Sequence, residues 1–111
     1  MLEAHDKAMS ELPYAKQRFA AGLRAGELLY VKRGFDTRSG SKEYLWFVVT
    51  GWAGTQLRGQ VANEPSDVPS LTTGQTVTLD QIDLFDWLIQ MPGGRSEGGY
   101  TARVTMEEGQ Q

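Results

Sequence analysis

The sequence predicts an α+β domain: N-terminal helices packed on a strongly curved antiparallel sheet of about six strands. Three observations predict it. Strong helix formers carrying a four-residue apolar stripe fill the chain up to residue 24. Short alternating apolar segments follow from residue 28 onward. Glycine- and proline-rich stretches separate those segments at hairpin spacing, with no room for crossover helices. Strands with internal glycines are expected to twist and curl, with a partly open barrel as the extreme form. A chain of 111 residues supplies one core, so a single domain over 1–111 is expected. Its ordered part is expected over about 13–106, with 107–111 as a flexible tail.

Each element has its own signal. Residues 2–11 read as a short first helix. Pro13 sits where a second helix would start rather than continue. That helix is expected from 13 to about 24, with Ala15, Phe19 and Leu23 on its buried stripe and Gly26 closing it in preference to Gly22. Leu28 to Phe35 alternates as a strand, with Leu29, Val31 and Phe35 on one face. The polar stretch from Asp36 to Lys42 reads as a hairpin loop. Glu43 to Trp52 is apolar on both faces, which suits a central strand. Gly51 to Gly54 permits a tight turn, and Thr55 to Asn63 returns with Leu57 and Val61 inward. Gly59 inside that strand suggests a bulge or a close approach. After the proline-containing loop 63–70, Val77 and Leu79 mark a short alternating strand. Ile82 to Ile89 reads as a second two-faced strand. The glycine-rich turn 92–99 leads to an expected last strand, Tyr100 to Met106.

Composition narrows the chemistry. Hydrophobic residues make up 40% and charged residues 23%, an ordinary globular mix. No cysteine is present, which removes disulfides, thiolate nucleophiles and cysteine-ligated metals. The single histidine, His5, rules out multi-histidine metal sites and reads as an exposed helix residue. No cofactor is expected. The net charge is −3, and the acidic excess sits in residues 34–111, against binding of a phosphate backbone. No apolar run approaches the roughly 20 residues of a membrane span. Glu3, Asp6 and Glu11 interrupt any leader-like apolar stretch, so the chain reads as cytoplasmic.

Few residues can carry chemistry. No serine sits in a Gly-x-Ser-x-Gly setting. The glycine turn opens onto a strand, not a helix, unlike a phosphate-binding loop. Paired carboxylates are the remaining acid–base option, with Glu43, Asp86 and Asp83 as members. Asp86 interrupts an apolar strand beside Trp87. Such a carboxylate either lines a cleft or is tied to a partner such as Arg103 or backbone amides, and a structural pair is the commoner outcome. Asn63, at a strand end before Pro65, is suited to latch the sheet rim through a side chain bonded to backbone. Tyr44, Trp46 and Trp52 share strand parity and lie on one face unless a bulge intervenes. They are either core filler or the lining of a groove for an extended peptide or small ligand, with Lys32 and Arg103 at its edge.

An ordered series of short motifs adds a family likeness. Ala15…Phe19 precedes Val31-Lys32, then Glu43-Tyr44-Leu45-Trp46 and Gly59-Gln60-Val61-Ala62-Asn63-Glu64-Pro65. Gly74-Gln75-Thr76-Val77, Ile82 with Asp86-Trp87, and Gly98-Gly99-Tyr100-Thr101-Ala102-Arg103 complete it. The series resembles the bacterial domain of unknown function 2314 (YegJ-like) family over about residues 13–104. The resemblance implies a small bacterial α+β domain and carries over no catalytic residues. Leu84-Phe85 departs from the family's usual Ile-x-Asp-Trp, which shifts the place of Asp83. The motif positions Lys32, Glu43, Trp46, Asn63, Pro65, Asp86, Trp87, Thr101 and Arg103 mix polar and aromatic types, which suggests one site or one buried polar network. The leading expectation is a non-enzymatic interaction domain that binds a protein or peptide through the sheet, with Lys32, Glu43, Trp46, Asn63, Asp86, Trp87 and Arg103 as binding residues. The alternatives are an enzyme or ligand binder with a cleft of Asp86, Glu43, Lys32 and Arg103, and an accessory domain whose polar residues only hold loops.

Overall fold

A computed structural model describes residues 2–101. Two helical segments, α1 (Leu2–Ser10) and α2 (Leu12–Ala20), form one bent helix at the N-terminus. The bend falls at Glu11, and Pro13 lies in the first turn of α2, where its missing N–H costs nothing. Six strands follow: β1 (Leu28–Asp36), β2 (Lys42–Ala53), β3 (Gln56–Val61), β4 (Thr76–Asp80), β5 (Leu84–Gln90) and β6 (Ser96–Gly98). All pair antiparallel, in the order β4-β3-β2-β1-β5-β6. The expected α+β class and the six-stranded sheet hold. The partly open barrel does not, because β4 and β6 remain as separate edges. Closure would require β6 to meet β4, yet β6 is only three residues long.

Strand alternation sends one residue set to the helix side. Leu29, Val31, Leu45, Phe47, Leu57, Val61, Leu79 and Ile89 are buried there against Ala8, Leu12 and Ala15 of the bent helix. Trp87 joins them, and its indole Nε1–H donates to the Ala8 carbonyl at 3.0 Å. Phe19 and Leu23 pack against this core but are only half-buried. Gly59 lies where a Cβ would come 3.0 Å from that of Phe47, so the close approach expected at this glycine is present.

Four elements differ from expectation. The second helix stops at Ala20 rather than about residue 24. Gly22 adopts φ +92° and its N–H donates to the Phe19 carbonyl, so Gly22 rather than Gly26 ends the helix. β2 runs through Trp52, as its alternation predicts, and on to Ala53, so the turn forms at Gly54-Thr55 rather than over Gly51 to Gly54. Ile82 is not in a strand: it is 84% exposed within a single 3-10 turn, Gln81–Asp83, and its own N–H is capped by the Asp80 carboxylate. The last expected strand is replaced. The hairpin turn closes early, at Pro92–Gly94, so the returning strand is Ser96–Gly98, and Tyr100 and Thr101 are helical. Residues 102–106, Arg103 among them, and the expected tail 107–111 lie outside the described residues.

Gly98 shows why β6 is short. Its φ is +77°, and a Cβ there would lie 2.5 Å from the Trp87 carbonyl oxygen and 2.7 Å from the indole ring. Gly94 has a similar φ of +80° but open space around it. Gly94→Ala is therefore expected to cost about 1–2 kcal/mol, the conformational term alone. Gly98→Ala is expected to cost roughly 2–5 kcal/mol, because the clash with Trp87 is added. Urea denaturation of the two variants checks this, and equal losses would contradict the packing described.

Candidate functional site

The sheet face opposite the helix carries the unusual residues. Register sets them side by side: Lys32 of β1 stands between Trp46 of β2 and Asp86 of β5. One row along, Tyr30 stands between Val48 and Leu88. Tyr30, Lys32, Trp46, Val48 and Leu88 are all half-buried, and Tyr44 is exposed.

Two bulges decide which aromatics share this face. In β2 the register shifts between Val49 and Gly51, leaving Thr50 as the extra residue. Parity reverses there. Trp52 therefore turns to the helix side, where Lys16 lies over its ring at 5.8 Å, and leaves Tyr44 and Trp46 on the other. In β5 the register shifts opposite Lys32/Arg33, leaving Phe85 without a ladder partner. Its carbonyl, at 2.9 Å from Nδ1 of His5, accepts that nitrogen's hydrogen, and the two rings stack at 4.5 Å. His5 is thus half-buried and fixes the bulge, contrary to its reading as an exposed helix residue. So placed, the Phe85 ring lies 4.7 Å from that of Tyr44.

Lys32 sits at the centre. Its ammonium lies over the rings of Trp46 at 5.4 Å and of Tyr44 and Phe85 at 5.7 Å, within cation–π reach of all three. It donates to the Thr101 hydroxyl at 3.0 Å, and that hydroxyl donates to Oδ2 of Asp86 at 2.6 Å. Burial pushes the Lys32 pKa down from 10.5, and the Asp86 charge opposes that shift only in part. No carboxylate forms an ion pair with Lys32 among the described residues; their ion pairs involve other side chains.

Asp86 is 0% exposed. Its carboxylate accepts from the backbone N–H of Trp87 at 2.7 Å and of Thr101 at 2.9 Å, besides the Thr101 hydroxyl. The backbone-amide tie expected as one outcome is present. A solvent-reachable carboxylate, on which the cleft reading depends, is not. Arg103 lies outside the described residues.

The other expected binding residues separate from this centre. Glu43 uses both carboxylate oxygens on the loop 63–70, accepting from Ser66 N–H and Asp67 N–H at 2.8 Å each. Asn63 accepts from the Trp46 N–H at 2.6 Å through its side chain, as the latch reading expects, although the residue is exposed. Trp87 follows Asp86 in the chain but points to the core. The single network suggested by the motif is therefore not formed: Lys32, Thr101 and Asp86 are linked under the open face, while Glu43 and Asn63 hold loop and rim at its border through separate bonds. Next to Trp46, Asn63 lines a shallow depression of about 240 Å³ with Tyr30, Leu88 and Gln90. Residue type does not mark Tyr30, Phe85 and Leu88 as site residues; alternation places Tyr30 and Leu88 on this face, but Phe85 depends on the bulge.

No group of three metal-ligating side chains occurs among the described residues, and no described helix is long and apolar enough to cross a membrane. The profile of the family described as "Uncharacterized protein conserved in bacteria (DUF2314)" matches residues 1–110, and the chain belongs to this family. The match extends past the 13–104 over which the motifs carry the resemblance. No curated protein and no solved structure matches the chain.

Two outcomes follow from the geometry. Asp86→Ala leaves two backbone N–H groups and a hydroxyl without their acceptor and is expected to cost about 2–4 kcal/mol in urea denaturation. A loss under about 0.5 kcal/mol would mean that water replaces the carboxylate. Lys32 gives a pH signature. Between its depressed folded value and 10.5 the unfolded chain binds more protons than the folded one, so its contribution to stability rises with pH in that window. The stability of the wild type relative to Lys32→Met is expected to climb in denaturation curves as pH rises toward 10.5. A flat or falling difference would contradict the burial of the ammonium.

Proposed function

We propose that this member of the bacterial family is a binding module without catalytic activity. It takes an extended protein or peptide segment on the sheet face opposite the helix. The observation that carries the reading is Lys32: a half-buried ammonium ringed by Tyr44, Trp46 and Phe85, with no carboxylate paired to it among the described residues. A cation held this way is already partly desolvated, so an incoming carboxylate meets less of the usual cost of stripping water. The side chains around it supply rigid apolar area, the composition of a recognition hot spot. The depression bounded by Tyr30, Trp46 and Leu88 accepts an apolar side chain next to that carboxylate. The favoured segment is therefore acidic and apolar in close alternation. The engagement of Glu43 with the loop and the burial of Asp86 support a binding role over an acid–base one.

Selection from a displayed library of random peptides tests this. Enriched sequences are expected to place Asp or Glu within two residues of an aromatic or branched apolar residue. Their affinity is expected to fall at least about tenfold for Lys32→Met and for Trp46→Ala, equivalent to about 1.4 kcal/mol each, and to be unchanged for Arg24→Ala, an exposed residue in the segment after α2. Failure to enrich any peptide, or binding indifferent to both Lys32 and Trp46, would overturn the assignment.

A further inference from the structure

We propose that the protein self-associates through the outer edge of β4, two copies pairing antiparallel about a two-fold axis at Thr78 so that their sheets become continuous. The register with β3 decides which backbone groups face outward. Gln81 N–H donates to the Thr55 carbonyl at 2.8 Å, and Val61 N–H donates to the Gln75 carbonyl at 3.0 Å. Positions 75 and 81 thus turn their backbone groups toward β3, and with them Val77 and Leu79, which share their parity. Thr76, Thr78 and Asp80 alternate with these and turn theirs the other way. Among the described residues no donor or acceptor meets the outward N–H groups of these three or the carbonyls of Thr76 and Thr78.

The two edges of the sheet are built differently. β6 is three residues long, ends at a glycine with φ +77°, and has its one charged side chain, Glu97, bound by Arg18 and Tyr14 of α2. Such an edge is short, bent and occupied, all features that discourage pairing. β4 is longer, at five residues, and is neither ended by a bend of that kind nor occupied by any described residue. It contains no lysine, arginine or proline, and its register with β3 is unbroken.

The occupant is a second copy because the edge is complementary to itself. With Thr78 on the two-fold axis, the two Thr78 residues exchange N–H and carbonyl, and Asp80 N–H of each copy meets the Thr76 carbonyl of the other. On the helix side Val77 faces the partner's Leu79, which extends the apolar core of each copy into the next. On the open side Thr78 faces its own copy and Thr76 faces Asp80, so no like charges oppose each other. The strand is short and the contact small, so the association is weak. The joined sheet leaves the Lys32 face of both copies uncovered, and this inference is independent of the proposed binding role.

Sedimentation equilibrium of the full chain up to about 1 mM, with amide chemical shifts followed over the same range, tests it. A monomer–dimer equilibrium is expected, with concentration-dependent shifts confined to Thr76–Asp80 and its neighbours. Thr78→Pro removes one outward N–H without touching the β3 ladder, and Thr78→Lys sets two ammonium groups face to face. Each is expected to weaken dimerisation by at least about tenfold. Thr78→Lys alters only an exposed side chain and remains decisive if the proline variant fails to fold. A monomer at 1 mM, a dimer that survives Thr78→Lys, or shifts that map to the Lys32 face or to β6 would each overturn the proposal.

Discussion

A carboxylate with no exposed surface must find its donors inside the protein, and Asp86 finds them in its own strand and in the segment after β6. Trp87 N–H comes from its own strand, but Thr101 supplies both a backbone N–H and a hydroxyl from beyond β6. The carboxylate therefore ties the end of the sheet to the segment that follows it. This fixes more than one contact. With Thr101 held, Tyr100 reaches back to Glu11 at the bend of the helix at 2.5 Å and packs edge-on against Trp87. Trp87 in turn anchors the α1 carbonyl of Ala8. Helix, sheet and the chain after β6 meet around one tryptophan whose neighbour is the buried carboxylate. Gly98 is where the chain passes close enough to that indole for the arrangement to close.

How much of this is legible in the sequence depends on whether a feature is local. Alternation in Leu29-Val31 and in Leu45-Phe47-Val49 is a local property, and the sheet contains those strands where expected. Pro13 likewise announces its own position in the helix. The failures share a cause. Whether Gly22 or Gly26 ends α2, whether Ile82 extends or turns, and where the last strand begins depend on which of several compatible local signals wins, and packing elsewhere decides that. Asp80 captures the Ile82 N–H, and the close contact of Gly98 with Trp87 ends β6. Neither is visible from composition or period.

The candidate site shows the same division more sharply. Lys32, Trp46 and Asp86 are separated by 14 and 40 positions in the chain, yet they fall in one row because β1 pairs with β2 on one side and with β5 on the other. Residue types pointed to all three, while their adjacency follows from topology. Trp52 is the counterexample: parity places it with Tyr44 and Trp46, and a single extra residue at Thr50 sends it to the core. Glu43 and Asn63 share the motif's polar character with Lys32, but their hydrogen bonds hold the loop 63–70 and the rim of β2. A polar residue in a motif can serve the scaffold as readily as a ligand, and only its partners tell which.

The lysine is where scaffold and function can be told apart by energetics. Holding an ammonium half-buried disfavours the folded state, as its depressed pKa records. The rings of Tyr44, Trp46 and Phe85 and the hydroxyl of Thr101 recover part of that cost, but a methionine or leucine at position 32 would avoid the cost of an ion altogether. Such a residue would also leave the buried Asp86 carboxylate without the positive charge that faces it, so the cost of the ion is offset partly by packing and partly by electrostatics. The surrounding structure also invests in keeping it there: the bulge at Phe85 turns a ring toward the ammonium, and His5 occupies the carbonyl that the bulge sets free. Part of what the charge does for the chain is plain, since through the Thr101 hydroxyl it faces the buried Asp86 carboxylate, and three strands and a helix orient it there.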